Sequence, residues 1–100
     1  MPVPSTREGR EFANGDLMFY VYIIESEIDS SYYIGYTKDL KKRLNGHNRG
    51  QTRFTRTKMP WKLKYYEVFN NKTDAIKREK HLKRQKSREF YQKLFDNMVW

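Results

Sequence analysis

The chain has no cysteine among its 100 residues. That excludes a disulfide framework, Cys-based zinc sites and thiol chemistry, and it fits a reducing cytoplasm. Glycine is scarce, at 5 residues, and no Gly-rich loop able to cradle a phosphate is visible. There is also no nucleophile elbow and no histidine pair at metal-binding spacing. No apolar run approaches about 18 residues and no signal peptide is discernible, so no segment is expected to span or cross a membrane. Acidic residues are few, 12 against 21 basic ones, for a net charge of +9. The deficit is uneven: residues 1–35 hold 2 basic and 6 acidic side chains, whereas 36–100 hold 19 and 6. A basic body of this kind favours a polyanionic partner, of which nucleic acid is the commonest; solubility alone is the bland alternative.

What is present centres on Phe19 to His47. Phe19–Glu25 and Ser31–Thr37 are rich in Tyr, Ile and Val, residues that suit a pleated, half-buried surface. The polar Ser26–Ser30 between them is short enough for an antiparallel hairpin. Thr37 is placed to cap a helix over Lys38–Asn48, with Asp39 in its positive first turn. Leu40 and Leu44 then face the core, with Arg43 and His47 in a second row beside them. This brings Tyr22 and Tyr33, one on each strand, near an arginine and a histidine, although tyrosines in a hairpin also serve simply as packing.

The rest of the chain continues the pattern. Residues 1–17 are polar, without a periodic apolar face, and are expected to form a mobile tail ahead of one domain over 18–97. Arg49–Pro60 has no regular period; its Arg49, Arg53, Arg56 and Lys58, with three threonines and one phenylalanine, suit a phosphate-contacting loop as well as an ordinary solvated one. Trp61–Phe69 alternates as a third strand. Asn70–Lys72 makes a turn, Thr73 caps a helix running to about Arg84, and a last helix over Ser87–Asn97 buries Phe90, Tyr91, Leu94 and Phe95. The order β-β-α-β-α-α predicts an α+β domain, a three-stranded antiparallel sheet flanked by helices. Glu79 falls inside the apolar stripe of Ala75, Ile76 and Leu82, where a carboxylate must be paired, hydrogen-bonded or metal-bound. An ion pair with Lys83 or Arg43 would satisfy it, and so would a metal.

Tyr20-Val21-Tyr22, Tyr33-Ile34-Gly35, Arg43 ten residues after Tyr33, and Glu79 on a later helix together resemble the GIY-YIG nucleases. The similarity runs from about Met18 to Leu94 and is nearest to the small single-domain bacterial members and to the amino-terminal nuclease domain of the excision-repair endonuclease. The second motif is intact; in the first, Tyr20 stands for the usual Gly and Val21 for Ile. Tyr36 follows the second motif where some relatives carry a lysine, and the late asparagine of the excision-repair branch has no clear counterpart.

The resemblance implies an endonuclease that hydrolyses phosphodiester bonds of DNA, structure-selective and linked to repair or recombination. It implies that Tyr22 acts as general base or positions the attacking water, with Tyr33 in support. Arg43 would grip the scissile phosphate, and Glu79 would ligate one Mg²⁺ or Mn²⁺ ion. His47, where relatives carry His or Tyr, would orient Tyr22, assist proton transfer or bind the phosphate. Lys83 joins the four loop cations as a DNA-backbone contact. No small-molecule cofactor is expected, and a monomer is the default. The alternatives are a non-catalytic module that binds DNA or RNA on the same scaffold, and a basic RNA-assembly protein.

Overall fold

The computed structural model describes residues 18–98, so the tail expected over 1–17 lies outside the described residues. The elements are β1 (Phe19–Ser26), β2 (Tyr32–Thr37), α1 (Leu40–Asn48), a single 3-10 turn (Arg56–Lys58), β3 (Trp61–Phe69), α2 (Lys72–Gln85) and α3 (Arg88–Asp96). The order is the expected β-β-α-β-α-α. The sheet is antiparallel throughout, with β1 between β2 and β3.

The half-buried surface expected of the strands is corrected for β1, which is covered on both faces. Tyr20, Tyr22 and Ile24 pack on one side with Leu40, Trp61 and Leu63. Val21 and Ile23 pack on the other with Ala75, Leu82, Tyr91 and Phe95. Successive side chains of a strand point to opposite faces, so an uninterrupted apolar run is what a central strand between two helical layers requires. Val21 and Ile23 are fully buried, each contributing about 1.5–3 kcal/mol relative to exposure.

Two helix starts differ from expectation. Asp39, not Thr37, caps α1, its carboxylate accepting from Lys42 N at 3.1 Å. Thr37 instead accepts from Asp39 N at 3.2 Å, which makes a turn before the helix. Asn71, not Thr73, caps α2: its Oδ1 accepts from Asp74 N at 2.8 Å, and its Nδ2 donates back to the Asp74 carboxylate at 3.0 Å. Asparagine and aspartate accept from the second or third amide better than threonine does, and each sits at the right distance from its partner. On α3, Tyr91 and Phe95 are buried while Phe90 and Leu94 are only partly so, and on α2 Ile76 is half-buried.

The irregular stretch after α1 is well tethered. Gly50 takes a positive φ of 76° past the helix end, a conformation glycine adopts without steric cost. Asn48 holds β3 with two bonds, its Oδ1 accepting from Trp61 N at 2.6 Å and its Nδ2 donating to Trp61 O at 2.9 Å. Trp61 Nε1 donates to Thr55 O at 2.9 Å. Ser26, the last residue of β1 rather than the first of the loop, donates to Lys58 O at 2.8 Å.

Candidate active site

Tyr22 lies on the central strand, almost wholly buried, on the face covered by α1. Its partner across β2 is Gly35, and the phenol lies directly over that glycine. A Cβ at position 35 would stand 2.6 Å from Tyr22 Oη and 2.9 Å from Cζ. Gly35 is therefore a space requirement: any side chain there would displace the hydroxyl.

That hydroxyl begins a hydrogen-bonded chain. Arg43 Nε, one turn before His47 on α1, donates to it at 3.3 Å. His47 Nε2 lies 2.9 Å from it, and His47 Nδ1 lies 2.9 Å from Thr55 Oγ1. Thr55 in turn donates to Thr52 O at 3.4 Å. Because the Thr55 proton is directed to a carbonyl, its oxygen accepts from His47 Nδ1–H. This infers the tautomer with a bare Nε2, to which the Tyr22 hydroxyl donates.

Electrostatics agree with a neutral pair. Burial, reinforced by the Arg43 charge, lowers the His47 pKa to about 4. Burial raises the Tyr22 phenol to about 12 against the opposing hydrogen bond and charge of Arg43, and the charges of Tyr33 and Glu79 add to the rise. Arg43 is held more firmly protonated, first by its bond to Tyr22. Tyr33 is half-buried beside them, its ring 6.5 Å from that of Tyr22 and 5.0 Å from that of His47.

Glu79 comes from α2, which packs on β1 and β2. Its side chain is 14% exposed and its Oε2 lies 3.2 Å from Lys83 Nζ, so the expected ion pair forms with Lys83. Its charge adds to the rise of the Tyr22 phenol. Among the described residues no three His, Cys, Asp or Glu side chains cluster as metal ligands. A single carboxylate fits Mg²⁺ or Mn²⁺, ions that keep much of their water and share the rest of their shell with substrate oxygens, and it does not fit zinc.

The predicted loop cations fall into two groups. Arg49, Arg53 and Arg56 are exposed, and Arg49 lines a cleft with Lys41 and Lys42. Lys58 is committed to Asp29 at 3.0 Å and to tying down the hairpin. Sequence reasoning passed over Thr55, which is fully buried as the partner of His47 Nδ1. The usable signal was indirect: a buried histidine needs partners for both ring nitrogens.

Comparison with known proteins decides the family. Residues 18–93 match the GIY-YIG catalytic domain. The chain belongs to the GIY-YIG family. As a GIY-YIG protein it is a member of a nuclease family, for which nucleic acid is the implied substrate. It is 46% identical over 70 residues to a UPF0213 protein of Streptococcus pyogenes serotype M3, covering 69% of this chain and 75% of that one. It is 45% identical over 71 residues to one from Streptococcus agalactiae serotype V, covering 70% and 78%. The UPF0213 protein BH0048 of Bacillus halodurans, solved in solution by NMR, is 33% identical and superimposes with a TM-score of 0.51, over 80% of this chain and 84% of that one. The Bacillus halodurans protein shares the α+β fold, and the three names specify no activity.

Proposed function

We propose that this GIY-YIG protein is a divalent-ion-dependent endonuclease that hydrolyses DNA phosphodiester bonds, structure-selective and serving repair or recombination. The observation that carries the reading is the directed chain Arg43–Tyr22–His47–Thr55. Nothing in packing alone calls for a buried phenol bonded to both an arginine and a bare histidine nitrogen.

Deprotonating a phenol whose pKa is about 12 costs about 7 kcal/mol at neutral pH, so a standing phenolate is disfavoured. Tyr22 instead orients the attacking water and passes its own proton to His47 Nε2 as the water proton arrives, so charge builds only during attack. Thr55 keeps the histidine in the accepting tautomer. Arg43 is exposed beside the phenol and lines two surface clefts that share Thr37; its guanidinium fork suits the charge that grows on the phosphate oxygens. Glu79 would hold the ion, which implies that Lys83 turns from the carboxylate toward the substrate backbone. The chemistry such an ion supplies is positive charge against the departing 3′ oxygen.

The test is cleavage of branched, nicked and single-stranded DNA with Mg²⁺. Tyr22→Phe is expected to lower the rate by about 10²–10⁴-fold, and Glu79→Ala to abolish the Mg²⁺-dependent cleavage. Cleavage that survives both substitutions removes the mechanism. The Lys83–Glu79 ion pair and the high Tyr22 pKa favour one second reading, a binding module without turnover. It predicts salt-sensitive binding and no product with any divalent ion.

A further inference from the structure

One large side chain lies outside this account. Phe54, in the loop between α1 and β3, is 81% exposed. A lone exposed apolar residue is ordinary, but this one stands on a tethered loop and has company. Its neighbour Thr55 is fully buried and bonded to His47, Trp61 and Thr52, which tethers the loop backbone beside the ring. Arg53 and Arg56 flank it, both exposed. Its ring stands 6.0 Å from that of Tyr33, at 46°.

Phe54 and Tyr33 form part of a cleft of about 440 Å³ completed by Tyr32, Ile34, Tyr91 and Lys83. That volume lies within the range of about 300–1,000 Å³ usual for small-ligand sites. Four aromatic rings and one lysine ammonium offer π-faces with a single positive charge, which is the complement of a nucleobase carrying its phosphate. The cleft adjoins the hydroxyl chain through Tyr33 and the ion-pair carboxylate through Lys83. A base inside a duplex has both faces covered and cannot use such a wall; an unpaired or extruded base can.

We propose that Phe54 and Tyr33 form a stacking platform for one unpaired DNA base beside the scissile phosphate, with Lys83 on its backbone, so the substrate class is DNA with single-stranded character at the cut. This rests on the nucleic-acid reading above and narrows it. The experiment measures binding of labelled oligothymidylate and of a duplex of equal length, by fluorescence anisotropy at fixed salt in EDTA, so that affinity is read apart from turnover. Phe54→Ala is expected to weaken single-strand binding by about tenfold or more and duplex binding by less than about twofold, a selectivity that loss of a general apolar or charged contact would not give. Phe54→Trp is expected to retain affinity and to show indole quenching on adding oligothymidylate. Equal losses on both DNAs, no loss on either, no quenching, or no single-strand binding by the unsubstituted protein would overturn the platform. A selective loss in a protein that cuts nothing would leave the platform standing and remove the nuclease reading instead. Circular dichroism of both variants checks that the fold is retained.

Discussion

His47 has both ring nitrogens bonded and no exposed surface, and this has a measurable consequence. Its folded pKa of about 4 lies below the ordinary value of about 6.5, so the fold favours the neutral ring. The unfolded chain therefore binds more protons between those values. The histidine's contribution to stability is complete above pH about 6.5 and is lost as pH falls through about 4, at most about 3 kcal/mol in all. Urea unfolding of the protein and of His47→Gln, each at pH 7.5 and 4.5, reads this directly. The unsubstituted protein is expected to lose roughly 2 kcal/mol more than the variant over that interval. An identical pH dependence would mean that the folded ring takes up its proton as readily as the unfolded one. Neighbouring residues follow the same logic of satisfaction: Thr55 exists to accept from Nδ1, and Gly35 to leave room for a phenol.

At the scale of elements, α2 matters because it carries both Glu79 and Lys83. Its C-terminal end is closed by α3 rather than by a glycine: Lys86 takes a left-handed φ of 50°, and its N–H donates to Tyr91 Oη at 3.3 Å. The same hydroxyl donates to Leu82 O at 2.6 Å. Removing it leaves a buried carbonyl and the cap amide without that partner. Tyr91→Phe is expected to lower stability by about 1–3 kcal/mol, measured by urea unfolding at neutral pH. A change below about 0.5 kcal/mol would show that water replaces the hydroxyl. On the side toward β3, Arg78 grips Glu67 through two nitrogens, Nε to Oε1 at 3.0 Å and Nη2 to Oε2 at 2.9 Å, and Tyr65 donates to the same carboxylate. Such a paired guanidinium fixes the helix on the sheet with directional bonds.

For the molecule as a whole, charge is the dominant long-range property. The net +9 predicts binding to duplex DNA that weakens with salt, log K falling by about 0.9 per phosphate neutralised. Arg53 and Arg56 are exposed, whereas Lys58 is tied to Asp29. Replacing both arginines by alanine is expected to make the slope of log K against log salt shallower by about 1.8, and Lys58→Ala to change it less. Anisotropy titrations at several salt concentrations supply the slopes; an equal effect of Lys58→Ala alone would show that its ion pair opens on binding. Among the described residues no helix is long and apolar enough to cross a membrane.

The element order was written in short-range pattern, whereas the covering of β1 on both faces was decided by the packing of the helices. Six apolar residues from Phe19 to Ile24, alternation in β3 and helical spacing in α3 each act over a few positions, and burial of apolar surface rewards them wherever the chain folds. The candidate site residues could be named as well, because Tyr22, Tyr33, Arg43 and Glu79 match a motif. What they do to one another was not. The bond between Tyr22 and His47 joins residues 25 apart, and that between His47 and Thr55 joins residues 8 apart across an irregular loop. Neither leaves a periodic trace. The tautomer of the histidine and the elevated phenol follow from desolvation and close approach, which arise only when β1, α1 and the Thr55 loop meet.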